Sequence, residues 1–260
     1  MIIIKSPEEI AIMRQGGKIL AAILDRLGSE LRAGIKTREL DMIMAEELRQ
    51  RGVKPSFKGY HGFPANLCVS VNDEIVHGIP DERVLQEGDI VSLDAGVIFE
   101  GFHTDAAITV AVGEICQQAK DLIAVTETSL TAGIAQATSG AHVGDISTAI
   151  QAYVESRGFS VVREYTGHGV GRELHEEPQI PNFAFGKGSV LRKGMTLAIE
   201  PMVNVGGCRT RLSPNQWTVL TADGSLSAHF EHTIAITDGE PEILTGEMIN
   251  PKSEILNNIK

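Results

Sequence analysis

Cysteine is scarce in this 260-residue chain: Cys68, Cys116 and Cys208 stand far apart, odd in number, with no CxxC pair. That excludes a disulfide framework and a cysteine-rich zinc site. Long apolar runs are missing as well. The only early one, Met1–Ile4, stops at Lys5. It is too short for a secretory signal or a membrane span, so a cytoplasmic protein with no membrane partner is expected. Positive charge is in deficit, with 23 Lys and Arg against 34 Asp and Glu and a net charge of −11. No basic block offsets that balance, so DNA would be repelled. Aromatic residues make up only 5%, which leaves the core to aliphatic side chains. What is present is ordinary: 42% apolar and 22% charged residues exclude a disordered or low-complexity protein.

The chain repeats itself at an offset of 106. Gly34 maps to Gly140, Leu40 to Ile146, Arg51-Gly52 to Arg157-Gly158, Gly88 to Gly194, and Asp94 to Glu200. Two distant blocks that keep one offset argue against chance. In the first half, Ser6, Pro7 and Glu9 predict a helix start with a capping box, and apolar spacing carries the helix to Gly28. A second helix is expected over 37–51, ended by Gly52. The second half predicts helices near 117–138 and 145–157. Strands are expected at 66–71, 89–95, 98–100 and 106–112, then at 160–165, 196–200, 202–205, 217–221 and 232–236. The pattern predicts an α+β class, a shared sheet with helices packed on it. No linker divides the halves, so a single domain over 1–260 is expected, with an internal repeat of about 1–115 and 116–250.

The repeat also orders the polar residues. Asp94 and Glu200 each end an apolar run, where a carboxylate is costly unless paired or bound to a cation. Asp105 and Glu231 each precede another strand-like run, aligned at an offset of 126. A hairpin in each half and a pseudo-twofold between them would gather all four. Four close carboxylates raise each other's pKa, and two divalent ions would balance their charge. Among the histidines, His168 lies in Tyr165-Thr166-Gly167-His168-Gly169-Val170-Gly171, where glycine permits tight turns and close backbone approach. It is the expected metal ligand. His77 and His175 fit better as hydrogen-bonding or proton-transfer groups. Oxygen ligands with one imidazole suit Mn²⁺, Fe²⁺ or Co²⁺. No P-loop, GxSxG elbow or HExxH signature is present.

In chain order, Asp94, Asp105, Gly167-His168-Gly169, Glu200 and Glu231 resemble the five-ligand dimetal site of the methionine aminopeptidases. Gly59-Tyr60-His61-Gly62-Phe63-Pro64, Val76-His77-Gly78-Ile79-Pro80, His175-Glu176-Glu177-Pro178 and Glu200-Pro201 resemble further family segments. The likeness runs from the first helix to about residue 240 and is to the bacterial-type, type I form. It implies the pita-bread fold, two pseudo-symmetric halves around a dimetal site. It implies removal of the initiator methionine from nascent polypeptides with a small second residue, by attack of a metal-bridging hydroxide on the scissile carbonyl. Asp94 would chelate one ion, Asp105 and Glu231 would bridge both, and His168 and Glu200 would complete the other shell. Glu200 would serve as general base and acid. His77 and His175 would contact the substrate around the scissile bond, and Tyr60, Phe63, Cys68 and Trp217 would line the methionine pocket. A monomer is implied; docking on the ribosome stays open. Leu174 stands where many relatives carry phenylalanine, which would loosen the pocket, and Phe57 where some carry cysteine. Xaa-Pro aminopeptidases and prolidases share the fold but usually carry an extra N-terminal domain, for which this chain has no room.

Overall fold

The computed structural model describes residues 1–246. Helix α1 (Pro7–Glu30) starts as its sequence dictates. The Ser6 hydroxyl accepts from the Glu9 N–H at 3.3 Å, and the Glu9 carboxylate accepts from the Ser6 N–H at 3.0 Å. Gly28 does not stop this helix; it is a buried residue within the last turn, and the helix runs on to Glu30. Helix α2 (Thr37–Arg51) buries Leu40, Met44 and Leu48 and ends at Gly52, whose φ of 67° is left-handed. Helices α3 (Gln117–Ile134) and α4 (Val143–Glu155) form the matching pair of the second half.

The first half continues with strands β1 (Lys54–Pro55), β2 (Leu67–Val71), β3 (Glu74–Val76), β4 (Ile90–Phe99) and β5 (Phe102–Ala111). The second carries β6 (Ser160–Val161), β7 (Thr166–Gly169), β8 (Glu176–Pro181), β9 (Thr196–Ile199) and β10 (Met202–Asn204). After these come β11 (Thr210–Leu212), β12 (Val219–Thr221), β13 (Ser227–His229), β14 (Glu231–Ala235) and β15 (Glu242–Ile243). One nine-stranded sheet runs β1-β4-β5-β14-β9-β7-β8, with β2 on β4 and β15 on β14. The halves join where β5 meets β14. An aliphatic core holds residues of all four helices and of this sheet, from Leu20 and Met44 to Ile150 and Ile234, all fully buried. Among the described residues, no helix is long and apolar enough to cross a membrane.

The offset of 106 is written into backbone contacts. Lys36 bridges Val84, and His142 bridges Val190. Gly34 N–H donates to Leu85 O at 2.8 Å, and Gly140 N–H to Leu191 O at 2.9 Å. Each member of the glycine pairs Gly34/Gly140, Gly52/Gly158 and Gly88/Gly194 has positive φ. The offset of 126 for the later strands needs correction. Leu93 pairs with Ile108, and Ile199 with His232, so Ile108 maps to His232, an offset of 124. The difference between 124 and 106 leaves eighteen extra residues in the second half, in the excursion that contains β11 and β12.

Among the described residues, seven strands come where none is expected, the short β1, β3, β11, β13 and β15 and, beside the site, β7 and β8. The glycines around His168 serve close packing rather than a turn. A Cβ on Gly167 would lie 2.4 Å from Ala198 O, and one on Gly169 would lie 2.3 Å from Glu177 O. Expected strands 160–165 and 217–221 shrink to β6 and β12, and 89–95 with 98–100 is the single strand β4.

Gly17 shows the same economy of space on α1, where a Cβ would lie 2.2 Å from the Leu244 carbonyl. Helix propensity favours Gly17→Ala by about 1 kcal/mol. The clash with backbone cannot be relieved by a rotamer and costs about 1–3 kcal/mol or more. Gly17→Ala is therefore expected to lower the melting temperature by calorimetry; a rise would show that the Leu244 segment yields freely.

Candidate metal centre

The hairpin β4–β5 supplies two carboxylates. Asp94 is opposite Ala107 and Asp105 opposite Gly96, so the two side chains lie diagonally on one face. Cys68 of β2 is opposite Asp94, and its thiol hydrogen-bonds that carboxylate. Across the junction of the halves, Glu231 pairs with Ala107. Ala106 and Ala107 carry no bulk here, and both are fully buried. Thr233 stitches the junction, its hydroxyl accepting from Asp105 N–H at 2.9 Å and donating to Asp105 O at 2.8 Å. Glu200 lies one residue past the Ile199–His232 pair, which carries it toward Glu231. By register, Asp105 corresponds to His229 and Glu231 to Ala107. Asp105 and Glu231 thus meet through pairing across the junction, not through strict equivalence.

His168 enters from β7, beside Ala198 of β9. Its Nδ1 is 2.9 Å from the Gly169 carbonyl. A carbonyl only accepts, so Nδ1 carries the proton and Nε2 presents a lone pair. Nε2 lies 3.3 Å from Glu200 Oε1 and 4.0 Å from Asp105 Oδ2.

The electrostatics of this cluster are unbalanced within the protein. Asp94, Asp105 and Glu231 are buried and Glu200 is nearly so. Burial, reinforced by the neighbouring carboxylates, pushes Asp105, Glu200 and Glu231 well above the ordinary carboxylate range. Burial pushes Asp94 up to about 7. Burial holds His168 down at about 3, so its imidazole is neutral and free to ligate. Asp105 Oδ1 and Glu231 Oε1 are buried without a hydrogen-bond partner. Asp105, His168 and Glu231 offer ligand atoms within 4.8 Å of one another. Orphaned anionic oxygens around a neutral imidazole are what a divalent cation fits. Glu200 adjoins this trio through His168, and Asp94 adjoins it through Asp105.

Above the carboxylates lies a cavity of about 450 Å³. Every residue expected at the site lines it: Tyr60, Phe63, Cys68, His77, Asp94, Asp105, His168, His175, Glu200, Trp217 and Glu231. One wall is apolar, where Phe57, Phe63, Cys68 and Leu174 pack together with Tyr60 and Trp217 against them. Phe63 and Trp217 meet edge to face at 5.2 Å. Phe57 restores an aromatic surface beside Leu174. His175 stands at the rim, exposed, with Nδ1 2.7 Å from the Tyr60 hydroxyl and its ring 4.2 Å from that of His168. His77 sits at a positive φ of 60° and meets Tyr165 edge to face. Desolvation lowers the pKa of both, helped for His175 by His77, His61 and His103.

Sequence reasoning missed His229, which lines the cavity with both ring nitrogens unpartnered. Its signal was available: it lies two residues before Glu231, hence on the same face of an extended chain. Tyr165, Thr166 and Met202 line the cavity too. Their residue types announce nothing.

The raised carboxylates have a thermodynamic consequence for metal-free protein. Between the ordinary Asp range and about pH 7, folded Asp94 keeps a proton that the unfolded chain has lost, so stability falls as pH rises. The buried histidines act the other way, below their ordinary pKa of 6.5. Asp94→Asn isolates the first effect. Its metal-free melting temperature should match the parent near pH 4 and exceed it by several degrees above pH 7. A difference that does not grow with pH would refute the carboxylate repulsion.

Comparison with known proteins agrees with this geometry. The family model described as metallopeptidase family M24 matches residues 11–238. A methionine aminopeptidase of Clostridium perfringens is 52% identical over 246 residues, covering 94% of this chain and 99% of that protein. Methionine aminopeptidase 1 of Bacillus subtilis is also 52% identical over 246 residues, with the same coverage. The crystal structure of a methionine aminopeptidase from Thermotoga maritima superposes with a TM-score of 0.93 at 49% identity, covering 95% of this chain and all of that one. With its two related halves around a cluster of acidic residues and histidine, the chain belongs to metallopeptidase family M24 and has its pita-bread fold.

Proposed function

We propose that this protein removes the N-terminal methionine from polypeptides as a metal-dependent aminopeptidase. The observation that carries the reading is a one-sided cavity. Four carboxylates and a neutral imidazole form its floor, and an apolar wall of thioether size stands beside them. Relatives at 52% identity bear the same activity in their names.

The donor set would suit two divalent ions, and Asp94, Asp105, His168, Glu200 and Glu231 are the residues that would hold them. When bound, such ions supply an acidified water and a Lewis acid for the scissile carbonyl. The rest is done by the chain itself. Phe57, Tyr60, Phe63, Cys68, Leu174 and Trp217 take the methionine side chain, whose sulfur gains from aromatic contact. Glu200 takes a proton from the attacking water and returns it to the leaving amine. His77 and His175, kept neutral, donate hydrogen bonds around the scissile amide without themselves being acids at neutral pH. His77, Thr166, Met202 and His229 also line the cavity, and in this reading they bound the space for a small second residue. The natural substrates in this reading are nascent polypeptide N-termini in the cytoplasm.

The test is to strip the metal, add back Mn²⁺, Fe²⁺ or Co²⁺, and follow the first residue released from Met-Ala-Ser and Arg-Pro-Pro. Metal-dependent release of methionine is expected, with Arg-Pro-Pro untouched. Cleavage of the proline peptide alone would move the activity to the Xaa-Pro branch. Glu200→Gln should lower kcat by about 100-fold or more; near-normal turnover in that variant would remove its proton-transfer role.

A further inference from the structure

Among the described residues, the pair Lys5–Glu176 is unlike other Lys or Arg ion pairs. Its Nζ–Oε2 distance is 2.5 Å, and the two side chains are 2% and 3% exposed. Each of the others has at least one partner more than a third exposed. A buried pair adds little stability over an apolar one, so its use must be sought in the geometry it fixes.

That geometry surrounds His175. Glu176 follows His175 directly and opens β8, opposite Gly169. Its second oxygen accepts from the Arg172 N–H at 2.9 Å and the Glu173 N–H at 3.3 Å. One carboxylate thus gathers the whole turn that delivers His175. The far end of the tether is equally fixed, because Lys5 N–H donates to Gly194 O at 2.8 Å. A second strap lies alongside: Arg172 reaches Glu9 at 3.1 Å, and Glu9 is itself held by the cap of α1. Space has been cleared for the tether. A Cβ on Gly171 would lie 2.4 Å from Lys5 Cε, and one on Gly194 would lie 2.8 Å from Lys5 O. His175 needs such support, because its side chain is exposed at the cavity rim and packing alone does not hold it.

We propose that Lys5 is a positioning residue for His175: through Glu176, its ammonium holds the turn that sets the imidazole against Tyr60 and His168. The inference rests on the reading of His175 as a group that contacts substrate. Lys5 touches neither the cavity nor its carboxylates. Lys5 therefore acts on the reaction through this turn.

The test measures kcat and KM for Met-Ala-Ser with the metal-loaded enzyme, and melting temperature, in Lys5→Met, His175→Ala and the double variant. Lys5→Met is expected to lower kcat about 10- to 100-fold, as misplaced catalytic groups do, with KM little moved. Added to His175→Ala, it should cost nothing further. Losses that multiply, or an unchanged kcat in Lys5→Met, would overturn the proposal. Full activity in His175→Ala would instead overturn the role of His175 on which it rests. If Lys5→Met does not fold, Lys5→Met/Glu176→Gln leaves no unpaired buried charge. That pair should melt near the parent while kcat stays low; recovery of both would reduce the ion pair to a structural contact.

Discussion

Burying carboxylates is the constraint on which the rest of this structure depends. Each of the four gives up hydration worth several kcal/mol, and each raises the cost for its neighbours. Among the described residues, none offers these carboxylates a full positive charge in return. The surrounding chain supplies only partial relief, such as the Cys68 thiol on Asp94. A protein arranged this way is built around a cation. Its two halves are clamped by Thr233 at the place where the charges meet.

The same burial sets the state of the histidines. An exposed imidazole would be partly protonated near neutrality. Here desolvation keeps His77, His168 and His229 in the neutral form. A neutral imidazole can ligate through one nitrogen and donate through the other, as His168 does with Gly169. Low dielectric surroundings thus make a difficult site for carboxylates and a favourable one for imidazoles. The site uses both effects.

Much of this was legible in the sequence because it rests on local rules. The Ser6–Glu9 capping box, Gly52 at positive φ and the apolar face of α2 follow from spacing alone. The four acidic candidate ligands were legible because acidic residues beside apolar runs are unusual, and His168 because glycines flank it. Three things were not. The strands β7 and β8 carry few β-branched residues besides Thr166 and Ile180, and at Gly167 and Gly169 neighbouring backbones occupy the room a side chain would need. His229 has no flanking motif. The register of the second hairpin escaped because strand periodicity is two. A slip of two residues keeps every side chain on its own face, so 124 and 126 leave the same hydrophobic pattern. Only the pairing of Ile199 with His232 distinguishes them.

The eighteen extra residues of the second half matter beyond bookkeeping of the repeat. They run out to β11 and β12, and β12 pairs with β3 of the first half. Along the way they carry Trp217 to Phe63 and place the Thr218 hydroxyl 3.3 Å from the His77 carbonyl. Two like halves alone would form a cleft that looks the same from both ends, and a peptide could thread it either way. With Trp217 packed on Phe63 in the apolar wall, the cleft gains an apolar side that the repeat alone would not supply. The excursion thus turns a symmetric scaffold into a cleft with a direction.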